Sequence, residues 1–233
     1  MRIIINHLTR MSSPYICVAG LDNDESHIRP VTVGQLHRNL LRSRGGIFEI
    51  GAEIEIGAVV DVSSPPEMED RRFDPANARR IRSLSENNFW GKLLASAQDS
   101  LIDLFGEDLT KRGSTSCAVD LNHGAASLGC LSPQQQPTIY RRRRPGKPDD
   151  IRLTLTDPDL DDLDLAVTDI RFYGQDHVTP DFDVAESVND RLEEGVPAIL
   201  SVGLTRPFPR ENPLHWLQIN NVHLEDDPLW NLG

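Results

Sequence analysis

The sequence predicts a mainly β protein of the α+β class, built as two small β-barrel or sandwich units with a helical insertion between them. Three observations carry that expectation. Short runs rich in Ile, Val, Thr and Leu, punctuated by Gly, Pro, Asn and Asp, occupy both ends of the 233-residue chain. Glu53-Ile54-Glu55-Ile56 alternates polar and apolar residues with the two-residue period of a half-buried strand. Between the two β-rich ends, residues 74–106 read as helix, with an apolar stripe at helical spacing.

The elements follow in chain order. "RIIIN" (2–6), "YICVAGLD" (15–22) and "HIRPVTV" (27–33) are strand-like runs separated by turn residues. Residues 45–64 hold the Glu-Ile alternation, with Gly51 and Gly57 marking a bend or bulge of the kind small barrels use at corners. "SSPPEMEDRRFDP" (63–75) is a Pro-rich connector. Asp74 then fits a helix N-cap with Pro75 at the first helical position. A second helix opens at Ser85 or Glu86, carries Phe89, Leu93, Ala97, Leu101 and Phe105 on one stripe, and ends at Gly106. Strands return at 113–121, 127–131, 137–144, 151–157, 165–174, 198–206 and 214–224, with a helical piece at 183–195. The expected organisation is a first β module at 1–64, a helical connector at 65–112 and a second β module at 113–233.

Composition bounds what such a chain does. Without an apolar run of roughly 18 residues, no membrane-spanning helix is expected. The opening twenty residues lack a cleavage pattern and read as a strand, not a signal peptide. Three scattered cysteines, Cys17, Cys117 and Cys130, suit a reduced cytoplasm. The net charge of −12 opposes nucleic acid at first sight, but it is unevenly spread. Residues 149–194 hold 15 acids against 3 arginines, whereas 27–48 holds Arg29, Arg38, Arg42 and Arg44 and no acid. The acidic block is either a solvated face or a docking surface for a cationic partner.

Two Arg-Pro pairs stand at strand ends, "SHIRPV" around Arg29 and "GLTRPF" around Arg206. Proline ends a ladder and holds the preceding residue extended, so each guanidinium would project over a sheet mouth, where it could grip a phosphate or carboxylate. The plainer alternative is a strand terminator whose arginine pairs with a local acid. "YRRRRPGK" offers Tyr140 for base stacking beside Arg141, Arg142, Arg143 and Arg144, or else a hairpin whose charges neutralise nearby aspartates. On a strict two-residue period, "HWLQINNVHL" places Trp216, Gln218, Asn220, Val222 and Leu224 on one face. Its amides would read a base or ligand, or close loops onto backbone. No metal site is legible: Cys117, His123 and Cys130 lack finger spacing, and "DPDLDDLD" departs from a calcium loop at Asp162 and Thr168. No catalytic motif and no cofactor fingerprint occurs.

The combination of "CVAGLD…IRPV", "VTDIRFYG", "LSVGLTRPF" and "HWLQINNVHL" resembles the dual OB-fold domain (DuOB) of bacterial proteins, many of them assigned to mobile-element or antiviral conflict systems. Arg29-Pro30, Thr168 to Tyr173, Leu204 to Pro207 and Trp216 to Asn221 carry the resemblance. It implies two five-stranded OB-like barrels and a nucleic-acid-binding role, with no catalytic residue to transfer. The expectation is therefore a non-enzymatic cytoplasmic protein. It would bind single- or double-stranded nucleic acid, or a nucleotide, through Arg29, Arg206, Tyr140, Arg141 to Arg144 and the Trp216, Gln218 and Asn220 face. The alternative is an adaptor docking a partner enzyme through its acidic or helical surface.

Overall fold

The computed structural model describes residues 1–230. In its amino-terminal unit, β1 (Arg2–Arg10), β2 (Tyr15–Leu21), β3 (His27–Val31) and β4 (Leu36–His37) precede β5 (Ala52–Glu55), β6 (Val60–Asp61), β7 (Asp70–Arg72) and β8 (Arg79–Ser83). These form one curled sheet in the order β6-β7-β3-β2-β1-β5-β8, with β4 paired to β2. The insertion comprises α1 (Glu86–Ser96), the short β9 (Ala97–Gln98) and α2 (Leu101–Phe105).

The carboxy-terminal unit contains β10 (Thr110–Lys111), β11 (Cys117–Val119), β12 (Leu128–Leu131), β13 (Thr138–Arg142), β14 (Asp150–Asp157) and β15 (Asp161–Ala166), then α3 (Phe182–Glu193), β16 (Ala198–Leu204) and β17 (His215–Leu224). Its main sheet runs β10-β11-β17-β16-β12-β9, beside the meander β13-β14-β15. The protein is thus mainly β, with two curled half-barrel sheets forming small OB-like units and a helical insertion between them. No helix among the described residues is long and apolar enough to cross a membrane.

Local chemistry accounts for most boundaries. In β14, Ile151, Leu153 and Leu155 turn inward while Arg152, Thr154 and Thr156 stay half-buried, as the two-residue period requires. Helix α1 sinks Phe89, Trp90 and Leu93 into the first unit's core. Its apolar stripe does not continue as one helix, because Ala97 and Gln98 instead pair in parallel with Cys130 and Leu131. Ser100 restarts the turn by accepting from Asp103 N, and Gly106, at φ 79°, ends it.

Three sequence expectations are corrected. Asp74 does cap a turn, but that turn is a 3-10 helix of three residues, Pro75–Asn77, and the chain then extends into β8. Charge complementarity decides this: Arg79 reaches Glu55 at 2.5 Å and Arg82 reaches Glu53 at 2.6 Å across the β5–β8 pair. Such cross-strand pairing is invisible to a local periodicity test. Residues 70–72, read as connector, and 79–83, read as helix, are therefore strands of the first sheet.

The second correction concerns β17, where Ser201 pairs with Asn221 but Val202 with Ile219, leaving Asn220 in a bulge. Beyond it the faces exchange, and Val222 and Leu224 join Leu217 and Ile219 in the second core. Third, the strand expected through Tyr173 stops at Ala166, and Ile170–Phe172 form a 3-10 turn capped by buried Asp169.

The two units share a seam. Cys130, Ile170 and Ile199 of the carboxy-terminal unit pack into the amino-terminal core. β5 covers the far edge of β1 only from Arg2 to Ile4. Farther along that edge, the buried Asn221 carboxamide takes the place of a strand. It accepts from Leu8 N at 2.8 Å and donates to Leu8 O at 3.3 Å. Arg10 N then donates to Thr168 O at 3.0 Å.

Asn221→Ala strips both partners from the Leu8 peptide in a dry seam, and each orphaned group costs on the order of 1–3 kcal/mol. The expected loss of unfolding free energy is about 2–5 kcal/mol, measured by urea denaturation. A loss near zero would show that the seam does not depend on this amide.

Candidate functional site

The two Arg-Pro arginines, 177 positions apart in the chain, converge on one carboxylate. Arg29 is buried at the middle of β3 and not at its end, since the ladder with β7 runs on through Pro30 to Val31; that parallel pairing sets Arg29 opposite Asp70. Its Nε donates to Asp70 Oδ1 at 2.5 Å. Arg206, just past β16 and half-exposed, donates to Asp70 Oδ2 at 2.8 Å and to Glu67 Oε1 at 2.9 Å. Glu69, between these acids, turns the other way and accepts from Ser127 N, Ser127 Oγ and Leu128 N. The stretch read as a Pro-rich connector is therefore an acidic strap joining both units.

Above the strap lies a cleft of about 330 Å³ between the sheets. Its charged lining consists of Arg10, Arg29 and Arg206, and no carboxylate lines it. Arg29 Nη2 is buried without a hydrogen-bond partner. Arg10 rests its guanidinium 4.0 Å above the Tyr173 ring and forms no ion pair among the described residues. Gln218 and Asn220 supply amides to the same wall, with Gln218 Nε2 donating to Asn220 Oδ1 at 2.8 Å. Gly203 in the "SVGLTRP" run is required here, because a Cβ at that position would collide with Asn220 Nδ2.

Four of the ten sequence-predicted residues thus meet: Arg29, Arg206, Gln218 and Asn220. The other six do not line this cleft. Tyr140 donates to Asp164 at 2.9 Å, within the β13–β15 meander. Arg141 pairs with Asp149 at 2.6 Å and stacks on Phe182, and Arg142 grips Asp150 with two donors. Arg144 lies 3.7 Å from Asp150, and Arg143 is exposed in the hairpin loop. The hairpin alternative describes most of them: acids eight or fewer positions away claim the guanidiniums of Arg141, Arg142 and Arg144, while Arg143 forms no ion pair among the described residues. Trp216 donates its indole N–H to Phe208 O at 3.0 Å and packs by that ring. Sequence reasoning missed Arg10, although it too ends a strand ahead of a Ser-Pro turn.

Behind Asn220 the polar network deepens. Asn220 Nδ2 donates to His7 Nδ1 at 3.1 Å, and the His7 ring meets His27 edge-on. Asn6 Nδ2 donates to His27 Nε2 and Cys130 Sγ, each at 3.2 Å. Burial drives the His7 ring well below its ordinary basicity, with His27, His223 and Arg29 adding repulsion. Desolvation brings His27 down to about 4, and desolvation with repulsion from Arg171 brings His223 to about 3. Cys130 is raised by burial and stays a thiol.

No protein-family model matches this chain, and no curated protein matches it.

Two expected outcomes follow from these charges. Asp70→Ala leaves the Arg29 charge buried and unpaired, which costs about 3–5 kcal/mol, whereas Arg206→Ala removes a half-exposed cation and costs about 1 kcal/mol or less. Equal losses in chemical denaturation would refute that division.

The second concerns acid. His223 is neutral in the fold and titrates near its ordinary value when unfolded, so its contribution is complete above about pH 6.5 and falls as pH drops toward 3. At pH 5 the loss from this ring is about 2 kcal/mol. Urea denaturation at pH 7.5 and 5.0 tests it, and His223→Gln should shrink the difference in unfolding free energy by about 2 kcal/mol if the mutant folds, the remainder belonging to His7 and His27.

Proposed function

We propose that the cleft between the two sheets binds an anionic ligand of nucleotide size, either a free nucleotide or one nucleotide unit of a strand. The observation that carries this reading is that Arg10, Arg29 and Arg206 all line one cleft that no acid lines. Guanidiniums pre-aligned by carboxylates behind them hold phosphate through paired N–H donors at little ordering cost. The Gln218–Asn220 amides offer donor and acceptor together, as reading a base edge requires. A volume of about 330 Å³ accommodates one such unit and stands at the lower end of ligand pockets, roughly 300–1,000 Å³.

A pocket favours this reading over an extended strand-tracking groove. The remaining basic run, Arg141 to Arg144, is largely neutralised by Asp149 and Asp150 and does not extend the cleft. The dual OB-fold resemblance supports the same ligand class. A second reading, docking of a cationic protein partner, rests on the exposed acids of α3, among them Asp183, Glu186, Asp190 and Glu193.

Titration calorimetry with mono-, di- and triphosphate nucleotides and short oligonucleotides tests the proposal. Arg206→Ala should weaken binding by about tenfold or more, the value of one charged hydrogen-bond pair. Salt dependence separates the forms. One or two phosphates in a pocket give a log–log slope of roughly −1, while a groove holding six gives roughly −4. Folded protein that takes up none of these ligands at low salt defeats the reading. Stoichiometric co-purification of a basic protein, lost when the α3 acids are neutralised, would establish the second one instead.

A further inference from the structure

We propose that His7, His27 and Cys130, with the side-chain oxygen of Asn6, form a binding site for one divalent cation of zinc type. One donor atom from each of the first three residues lies within 4.8 Å of the others. They come from β1, β3 and β12, so the site would lie on the seam between the units.

Two observations point to a ligand rather than to a self-contained polar core. Buried polar atoms are almost always partnered, yet two orphans occur here together. His7 Nε2 and Asn6 Oδ1 are both buried without a hydrogen-bond partner, although each residue's other polar atom is engaged. A cation at the cluster would satisfy His7 Nε2; Asn6 now turns Nδ2 toward His27 and Cys130, so its oxygen reaches the cation only after the amide turns. His7 is 1% exposed and Cys130 0%, while His27 is only partly covered and leaves an entry path for the ion.

The spacing also fits. Zinc bonds of about 2.3 Å to sulfur and about 2.05 Å to nitrogen, at the tetrahedral angle, set the two donors about 3.6 Å apart. Cys130 Sγ and His27 Nε2 stand 3.7 Å apart. The Asn6 amide end lies 3.2 Å from both. Half a turn about its Cβ–Cγ bond exchanges Nδ2 for Oδ1 and presents the oxygen to the cation. Two imidazoles and a thiolate form a donor set of borderline softness, which selects zinc over magnesium or calcium.

Protons balance simply. Both rings are neutral, so each offers a lone pair without losing a proton, and the Cys130 thiol passes its proton to solvent as the metal–sulfur bond forms. A metal on His7 Nε2 places the ring proton on Nδ1, which then donates to Asn220 Oδ1. Asn220 and Gln218 turn their amides in response, and the hydrogen-bond chain reverses direction. Asn220 is thus a positioning residue for the ligand ring.

Cobalt(II) is the probe. Full-length protein stripped with a chelator and titrated with Co²⁺ should bind one equivalent. It should show a thiolate-to-cobalt charge-transfer band and intense tetrahedral d–d bands, both abolished by added Zn²⁺. Cys130→Ser should lose the charge-transfer band, and His27→Gln should lose binding, each with wild-type circular dichroism. Asn220→Ala should keep the band and weaken affinity by about 10–100-fold. Should Cys130→Ser fail to fold, Cys17→Ser and Cys117→Ser each retaining the band still assign it to Cys130. Folded wild-type protein that develops no charge-transfer band, or a Cys130→Ser variant that keeps it, overturns the proposal.

Discussion

The Asn221 carboxamide standing in for a strand against Leu8 is the interaction on which the rest of the architecture depends. β1 is central to the first sheet, yet β5 covers only part of its outer edge. A buried edge with unpaired peptide groups is costly, and one side chain with both a donor and an acceptor is the smallest group that can satisfy both. By closing that edge, the amide brings β1 against β17 and makes one seam of two half-barrels. Buried Asp169 extends the join, accepting from Val222 N at 3.1 Å and from the Arg171 guanidinium.

Two bulges then decide what faces the seam. The β1–β2 register shifts between Ile5 and His7, and the β16–β17 register shifts between Ser201 and Val202. Asn6 and Asn220 occupy these irregularities; the Asn220 amide reaches His7, and the Asn6 amide reaches His27 and Cys130. A regular ladder would have alternated these residues between core and solvent. The bulges let polar side chains enter the seam without breaking the apolar faces on either side. The result is one continuous polar path from Gln218 in the cleft to Cys130 in the interior.

The electrostatics follow from burial rather than net charge. The block at 149–194 holds most of the excess acid, but none of its residues lines the arginine cleft. The strap Glu67–Asp70 instead supplies the countercharge. Its carboxylates sit behind the arginines, so they align the guanidiniums while leaving the cleft wall cationic. Arg29 is buried against Asp70, with one guanidinium nitrogen left without a hydrogen-bond partner.

The sequence by itself determined the class of the fold, most of the strands, α3 and the end of α2 at Gly106, because alternation, apolar stripes and cap residues act within a few positions of one another. It also marked Arg29 and Arg206, since proline constrains its neighbour locally. Tertiary structure alone decided that both arginines meet Asp70, that Arg10 lines the same cleft, and that Arg141, Arg142 and Arg144 are claimed by their own hairpin. It also decided that residues 79–83 form a strand against Glu53 and Glu55, and that β17 changes face at Asn220. The reason is the range of the forces involved. Backbone preference is set by adjacent residues, whereas ion pairing and the filling of a seam depend on groups that only the completed fold brings within a few ångströms.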